Sequence, residues 1–395
     1  MTLLILLAAC QEPTLEVQVP RDTSLDTGES SAPQGPFDSV VLQAADSQIL
    51  GHTIGALRAG DIDGDGRADI GYVQTNRALA WARGDGRGGL SPQALLPEGL
   101  LASRLAQALG TDDVDADALF IQDLHLVDLD GDGTVEWLVT LNVQVGGAQR
   151  MLTVALEDPL GRAELRVIGP KDHQAQPVSD LDGDGLPELV LSGVESAVLT
   201  SGGQSWPLEG VPSWNYYPQV AALDLNGSGD LDLAVFFNGG FGISEAYLFL
   251  NTEAGMEVGQ VLGGFYASGA LISLASDAEQ EALLPGGDGI LRMGPDGLVE
   301  EIGSETSFFY ATSAGDLDDD GDLDLLSFVS GEAVLYASSF EGPLRAMPIT
   351  GLDLESTQTV IFDLDDDGRA DLSGVRWDSV QEEMVLESWL NVSGD

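Results

Sequence analysis

A nine-residue acidic segment occurs six times in this sequence, and it limits the possible folds more than any other feature. The copies read DIDGDGRAD from Asp61, DLDGDGTVE from Asp128, DLDGDGLPE from Asp180, DLNGSGDLD from Asp224, DLDDDGDLD from Asp316 and DLDDDGRAD from Asp363. Each has oxygen-bearing side chains at positions 1, 3, 5 and 9 and glycine at position 6. A unit repeated in this way predicts a repeat architecture, in which neighbouring units bury each other's apolar faces.

The spacing of the acidic side chains predicts calcium loops. Ca²⁺ takes about 6–8 oxygen ligands, and alternate residues of a tight loop can aim their carboxylates at one ion while glycine supplies the sharp turn. We expect side-chain ligands from positions 1, 3, 5 and 9 and a backbone carbonyl from position 7. Loop by loop, these residues are Asp61, Asp63, Asp65, Arg67 and Asp69; Asp128, Asp130, Asp132, Thr134 and Glu136; Asp180, Asp182, Asp184, Leu186 and Glu188; Asp224, Asn226, Ser228, Asp230 and Asp232; Asp316, Asp318, Asp320, Asp322 and Asp324; and Asp363, Asp365, Asp367, Arg369 and Asp371.

The surroundings of the loops exclude an EF-hand. An EF-hand loop has about 12 residues and ends in a bidentate glutamate between helices. Position 12 is not acidic in any copy, where it is Tyr72, Val139, Leu191, Val235, Ser327 or Gly374. Short apolar runs such as IGALRAG before a loop and EWLVTL after one are typical of buried strands. The sequence therefore predicts strand–loop–strand units.

These units resemble the FG-GAP and VCBS repeats of integrin-α propellers and bacterial surface proteins, and the GGFG at 239–242 is similar to the motif in the family name. The resemblance covers about residues 37–395 and implies an all-β β-propeller of four-stranded antiparallel blades. The 92-residue interval between Asp224 and Asp316 is the longest between successive loops, so it predicts a further repeat. Its degenerate loop is expected at Ser273–Glu281, without metal, which makes seven blades.

Two further predictions concern the ends of the repeat array. Only two strand-like runs follow the last loop, so Ser39–Gln43 is expected to supply the missing strand of the last blade and to cover open sheet edges. The 67-residue interval between Asp61 and Asp128 predicts an insertion at Leu100–Leu119, in which LLASRLAQALG forms a short helix.

The N-terminus resembles a bacterial lipoprotein signal. An apolar run ends in LAAC at Cys10, the only cysteine of the chain, which is the expected lipid-attachment site. Its alternative is an ordinary signal peptide, since the run is short and has no basic start. Residues 11–36 are polar and proline-containing, as in a disordered spacer. We therefore predict a signal over 1–10, a linker over 11–36, a propeller over 37–395, and a lipid-anchored location in a bacterial envelope, in the outer membrane.

The charge of the chain limits its partners. It has 66 acidic against 15 basic residues and a formal net charge of -51. Such a surface repels nucleic acid and anionic lipid and attracts cations. An acidic surface also serves solubility, but the clustering of carboxylates in short loops requires a counter-charge, which bound Ca²⁺ supplies.

The sequence favours a binding module over an enzyme. His52, His125 and His173 lie at different distances before their loops, Lys171 is the only lysine, and no HExxH, GxSxG or P-loop occurs. We expect a monomeric, non-catalytic binding, adhesion or scaffolding module for a protein or glycan. The alternative is a lyase-like polysaccharide-active enzyme, which would need His52, His173, Lys171 and Arg58 to converge.

Aromatic residues upstream of the loops suggest a place for the ligand. They gather in the fourth to sixth repeats, and the resemblance to integrin-like propellers implies that such rings capture a basic side chain, while they could also stack on sugars or fill space between blades. The candidate ligand-binding residues are Trp214, Tyr216, Tyr217, Phe265, Tyr266, Phe308, Phe309 and Tyr310.

Overall fold

The structure is a computed structural model. It describes residues 40–50, 54–157, 159–161, 163–170, 172–193, 195–211, 218–238, 244–252, 255–265, 275–276, 282–285, 290–293, 299–302, 310–321, 323–329, 332–337, 345–347, 349–352 and 358–393. The predicted signal, Cys10 and linker lie outside these ranges. Within them, no helix combines the length and the apolar character that crossing a membrane requires.

The described chain is almost entirely β-strand. The first strand, β1, spans Val40–Ile49. Three antiparallel sheets of four strands, here called blades 1 to 3, follow with one helix between the first two. Their bounds are β2 (Ile54–Gly60), β3 (Asp69–Gln74), β4 (Ala78–Gly84) and β5 (Leu90–Leu96); α1 (Glu98–Leu109); β6 (Val114–Val127), β7 (Glu136–Val145), β8 (Ala148–Glu157) and β9 (Glu164–Ile168); β10 (Gln174–Val178), β11 (Glu188–Ser192), β12 (Ala197–Leu199) and β13 (Ser205–Pro207).

Blades 4 to 6 repeat the same arrangement, with each strand paired to the next one in the chain. Their bounds are β14 (Pro218–Leu223), β15 (Asp232–Asn238), β16 (Ser244–Thr252) and β17 (Gly255–Phe265); β18 (Ala275–Ser276), β19 (Ala282–Pro285), β20 (Ile290–Met293) and β21 (Val299–Ile302); β22 (Tyr310–Gly315), β23 (Asp324–Val329), β24 (Glu332–Ala337) and β25 (Arg345–Met347).

The last sheet joins the two ends of the described chain. The strands β26 (Ile349–Thr350), β27 (Gln358–Phe362), β28 (Asp371–Asp378) and β29 (Glu383–Asn391) combine with β1 in the order β26-β1-β29-β28-β27. β1 runs antiparallel to β29, with Leu42 opposite Asn391. β26 adds a short parallel pairing to β1, with Val40 opposite Ile349.

The prediction of seven four-stranded blades is wrong in that form. In the described part of the chain, six sheets have four strands and the remaining sheet has five. The reason is that the last repeat supplies only the three consecutive strands β27 to β29, and its sheet is extended by the distant β1 and by β26. The described N-terminal strand, Val40–Ile49, continues beyond the predicted end at Gln43, and Ser39 lies outside the described residues.

The sheets stack around a centre as in a β-propeller. The first strands of successive repeats contact one another, in the pairs β2 with β6, β6 with β10, β10 with β14, β14 with β18, β22 with β27, and β27 with β2. Apolar side chains fill the spaces between neighbouring sheets, since one buried cluster includes Val73 of blade 1 and Trp137 of blade 2. Another includes Ile70 of blade 1 and Leu386 of the five-stranded sheet. The strands are buried on both faces because each sheet packs between two others.

The predicted helix is confirmed as α1. It begins after Pro97 and ends at Gly110, whose φ of 64° stops the helix in the left-handed conformation. Leu101 and Leu105 are buried against blades 1 and 2. The predicted insertion extends too far, because the residues from Val114 onward already belong to β6.

Blade 5 lies in the long interval between the fourth and fifth acidic segments. The degenerate loop predicted at Ser273–Glu281 is wrong at its start, because Ala275 and Ser276 are strand residues and Ala275 pairs with Leu283. Residues 277–281, which contain the rest of the predicted loop, lie outside the described residues.

Candidate metal centre

All six acidic segments occupy the same place in the propeller. Each connects the first strand of its sheet to the second, so that position 9 is the first residue of the second strand, as Asp69 is in β3 and Asp371 in β28. Asp322 of the fifth segment lies outside the described residues. The antiparallel pairing of the two strands holds both ends of each loop together.

The loops bring carboxylates together. In five of the six segments, three or four acidic side chains can place one oxygen each within 4.8 Å of one another. These groups are Asp61, Asp63 and Asp69; Asp128, Asp130 and Glu136; Asp180, Asp182, Asp184 and Glu188; Asp316, Asp318 and Asp320; and Asp363, Asp365 and Asp371. Several acidic groups could therefore hold a metal ion.

Position 1 and the position-6 glycine define the loop conformation. In every segment, the backbone N–H of the glycine donates a hydrogen bond to the first aspartate, at 2.8–3.1 Å. The glycine φ values lie between 83° and 92°, a region that side-chain-bearing residues rarely adopt. Glycine is needed there because the chain must fold back over the first carboxylate.

Position 9 has a structural role that the sequence analysis missed. This carboxylate is buried in all six segments, and it accepts a hydrogen bond from the backbone N–H of position 2. Its other oxygen accepts a backbone N–H of the third strand in three sheets, from Gly84 to Asp69, Asn251 to Asp232 and Asn391 to Asp371, at 2.7–2.8 Å. Position 9 thus ties the loop to two strands.

Two asparagines link neighbouring loops. The Asn251 side chain of blade 4 donates to the carbonyl of Leu181 in the third loop at 2.6 Å, and Asn391 donates to the carbonyl of Leu317 in the fifth loop at 2.9 Å. The sequence contains a signal for them, because both follow a leucine at the end of the third strand, in FLNT and WLNV. Through each of these hydrogen bonds, the third strand of one sheet holds the acidic loop of the sheet before it.

Buried oxygens without partners test whether the loops fit a cation. Among the described residues, Asp63 Oδ1, Asp318 Oδ1 and Asp365 Oδ1, all from position 3, are buried and have no hydrogen-bond partner. Glu188 Oε1, from position 9, is in the same situation. A buried carboxylate oxygen without a partner is costly. A hard cation bound among these oxygens would satisfy them, so the donor set fits Ca²⁺.

The electrostatics of the loops agree with this fit. Burial raises the pKa of Asp371 to about 7, and the charges of Asp365 and Asp363 add to the rise although backbone hydrogen bonds oppose it. Burial is also the largest cause in other loop carboxylates, and it raises the pKa to about 7 in Glu136, Glu188 and Asp318 and to about 6 in Asp69 and Asp316. Carboxylates crowded in this way need a proton or a cation.

The fourth loop differs from the rest. Asn226 and Ser228 stand where the other loops have aspartates, and the described side chains of this loop form no three-membered acidic group. Asp224 and Asp232 still hold the backbone in the shared conformation. In the other loops, Asp65, Asp132, Asp324 and Asp367 lie outside the acidic groups. The predicted metal ligands of all six loops, with the position-7 carbonyls, stay predictions.

The basic residues of the alternative hypothesis have separate partners. Arg58 of β2 lies 3.1 Å from Asp123 of β6, and the same aspartate lies 3.1 Å from His125. Burial raises the pKa of Asp123, but His125 and Arg58 outweigh it and lower the pKa to about 2. His173 Nε2 lies 2.9 Å from the carbonyl oxygen of Glu195. Arg58 therefore ties blade 1 to blade 2, while His52 and Lys171 lie outside the described residues.

The eight aromatic residues predicted to bind a ligand, called the aromatic arc below, lie mostly outside the described residues. Phe265 ends β17 and Tyr310 begins β22, whereas the other six candidates, Trp214, Tyr216, Tyr217, Tyr266, Phe308 and Phe309, lie outside the described residues. A different exposed ring belongs to the five-stranded sheet. Trp377 is 56% exposed and borders a cavity of about 860 Å³, which Asp46 and Glu387 also line.

Comparison with known proteins supports the fold. No protein-family model matches the sequence, and no curated protein matches it. The solved structure of BBS1N in complex with ARL6DN, soaked with lead, is 11% identical, has a TM-score of 0.51 and covers 89% of this chain and 97% of its own. The mercury-soaked form of that complex has 12% identity, a TM-score of 0.48 and coverages of 88% and 96%. A streptogramin B lyase structure has 10% identity, a TM-score of 0.47 and coverages of 90% and 100%. At 11% identity the likeness to the lead-soaked complex concerns the fold alone, and it agrees with the sheets described above: the chain is an all-β β-propeller with four-stranded antiparallel blades.

Proposed function

We propose that this chain is a calcium-stabilised β-propeller of the FG-GAP/VCBS kind that acts as a non-catalytic binding, adhesion or scaffolding module. The observation that carries the proposal is the convergence of three or four carboxylates at five equivalent strand connections. Buried oxygens without partners point the same way, and Ca²⁺ is the hard, oxygen-seeking cation that suits them. When bound, it would neutralise the carboxylates and lock the loops.

We further propose that the propeller is a seven-membered ring closed by its N-terminal strand. The antiparallel pairing of β1 with β29, from Leu42 opposite Asn391 to Ile49 opposite Val385, supports this arrangement. The contact of β27 with β2 brings the last repeat beside the first. Such a closure covers sheet edges that would otherwise invite aggregation.

The proposed location is the bacterial envelope, with the chain anchored through acylated Cys10, in the outer membrane. The apolar run that ends in LAAC supports this proposal. Replacement of the cysteine, Cys10→Ser, is expected to move the protein from the membrane fraction to the soluble fraction, because the lipid is the proposed tether. Fractionation followed by immunoblotting measures the effect, and an unchanged membrane fraction contradicts the anchor.

The proposed ligand is a protein or a glycan that contacts the aromatic arc. In the BBS1N structure a second protein, ARL6DN, is bound, and we extend to this chain only the idea that its propeller binds a partner. The excess of acidic over basic residues favours a ligand with basic groups, which aromatic rings can also contact through cation–π interactions.

Alanine variants of the arc test the ligand site. We expect Tyr217→Ala, Tyr266→Ala and Phe309→Ala to reduce binding to a glycan array or to immobilised lysine- and arginine-containing peptides by at least tenfold, the loss typical of a hot-spot ring. Trp377→Ala is the matched control, because this exposed ring belongs to the last repeat, whereas the three arc residues belong to the fourth to sixth repeats of the sequence. If the arc variants melt at a lower temperature but still bind, those rings pack against the propeller and do not form the binding site. Loss of binding in Trp377→Ala would move the site to the cavity beside it.

A further inference from the structure

A basic side chain, Arg83, contacts two acidic side chains of the first loop. Arg83, near the end of β4, places Nε 2.7 Å from Asp63 Oδ2 and Nη2 2.8 Å from Asp65 Oδ2. These carboxylates are positions 3 and 5 of the loop, so one guanidinium bridges two of the predicted metal ligands. Asp63 Oδ1 remains buried and has no partner in the described structure. The loop is thus partly neutralised by the protein itself.

Strand register explains why the arginine reaches the loop. The residue after position 9, Ile70, pairs with Ala82 of the third strand, and Arg83 is the next residue toward the loop. The same register defines one equivalent residue in each of the other five sheets that carry an acidic segment. Those residues are Glu157, Thr200, Leu250, Ala337 and Leu390. None is basic, so blade 1 alone has a cation at this third-strand position.

Two other arginines near the loops contact one carboxylate each. Arg67, at position 7 of the first loop, lies 3.6 Å from Asp65 Oδ2. Arg369, at the same position of the last loop, contacts Asp367 Oδ2 with Nε at 2.9 Å and Nη2 at 2.5 Å, and also donates to the carbonyl of Ser393 at 2.8 Å. Each of the two contacts the position-5 carboxylate of its own loop. The bridge between positions 3 and 5 is made by Arg83.

A guanidinium and a divalent ion compete for the same oxygens. Arginine stays charged at every accessible pH, and its planar fork holds two carboxylates at a fixed separation. Calcium binding at Asp63 and Asp65 would require their contacts with this guanidinium to break first, and the cost of breaking them would weaken the binding. Without calcium, the same guanidinium offsets the repulsion between the two carboxylates.

Resting on the calcium function proposed above, we propose that Arg83 is a built-in competitor of the metal at the first loop. The first loop therefore has the lowest calcium affinity of the loops with three or more clustered carboxylates. It also keeps its conformation best when calcium is removed, because the guanidinium replaces part of the lost charge. Calcium binding requires the Arg83 side chain to leave the loop, so this loop fills last and empties first as calcium varies.

Calcium titration of the full-length, metal-stripped protein tests the proposal. Isothermal titration calorimetry and competition with a chromophoric chelator resolve the weakest of the carboxylate-rich sites. We expect Arg83→Gln to strengthen that site on the order of tenfold, because calcium would no longer have to displace the two charge-assisted contacts of Arg83. Arg83→Lys, which keeps the charge and loses the planar fork, should fall between this variant and the wild type.

Arg150→Gln is the control for net charge. Arg150 pairs with Asp172 at 2.8 Å, away from the acidic loops. The calcium affinities of the Arg150→Gln variant should therefore stay within twofold of those of the wild type. Without metal, Arg83→Gln should melt below Arg150→Gln, and saturating calcium should remove the difference. If the wild type binds calcium but Arg83→Gln leaves every affinity within twofold, the competitor role is wrong while the calcium function stands. If the wild type binds no calcium, both proposals are wrong.

Discussion

Removal of calcium is expected to lower the melting temperature of this protein by on the order of 15–20 °C. Five loops bring at least three carboxylates together. A site at a calcium concentration of about 100 times its Kd stabilises the fold by about 2.7 kcal/mol, and five such sites contribute about 13 kcal/mol. With an unfolding entropy of about 2.1 cal/mol/K per residue, a propeller of about 350 residues loses close to 18 °C. Calorimetry in EDTA and in excess calcium measures this difference.

The size of the calcium effect should rise with pH. Burial raises the pKa of Glu136, Glu188, Asp318 and Asp371 to about 7, above the ordinary value near 4 that these groups have in the unfolded chain. In metal-free protein, the stability that comes from their protonation is fully present below pH ~4 and is lost as pH rises through ~7. Bound calcium favours the charged carboxylates, so the gain in melting temperature should be larger at pH 8 than at pH 5.

Two results would contradict the calcium hypothesis. One is a melting temperature that is the same in EDTA and in millimolar calcium at pH 8. The other is a calcium-dependent gain that is as large at pH 5 as at pH 8, because protons would then not compete for the carboxylates. Magnesium serves as a control cation, since it prefers a smaller octahedral site and keeps several of its waters.

The largest single-residue effect is expected at position 9, from Asp371→Ala. Asp371 is buried, and its two oxygens accept the backbone N–H groups of Leu364 at 2.9 Å and Asn391 at 2.7 Å. The substitution leaves both donors buried without an acceptor and also removes a metal ligand. Each orphaned donor costs about 1–3 kcal/mol, so we expect a loss of about 3–5 kcal/mol even in EDTA. Urea unfolding in EDTA measures the loss of the two hydrogen bonds, and unfolding in calcium adds the loss of the metal ligand.

Asp367→Ala is the matched control in the same loop. Asp367, at position 5, is exposed, accepts the backbone N–H of Arg369 at 2.9 Å and pairs with the guanidinium of that residue. In EDTA its replacement should change stability by about 1 kcal/mol or less, as expected of an exposed site with a surface ion pair. In calcium it should lose much of the gain that the metal gives the last loop. Equal losses for the two variants in EDTA would show that position 9 is only a ligand.

The prediction of strands flanking each loop follows from local sequence. A run such as IGALRAG before Asp61 is apolar enough to be buried on both faces, and the structure has β2 at those residues. The glycine at position 6 is equally local, since its φ near 90° is a property of one residue. The helix α1 also followed from its own apolar spacing. These strands, turns and the helix can be predicted from sequence because each depends on residues that are close together in the chain.

The sequence by itself determined the repeating strand–loop–strand unit, the acidic residues of its loops and the propeller class. Only the tertiary structure decided which groups meet across sheets. The sequence predicted that an N-terminal strand completes the last sheet, but the fifth strand, β26, joins that sheet only through its pairing with β1. The roles of Asn391, of position 9 and of Arg83 likewise depend on contacts between strands and loops that a motif does not record. The physical reason is that strand register, which a neighbouring strand sets, decides which side chain faces a loop.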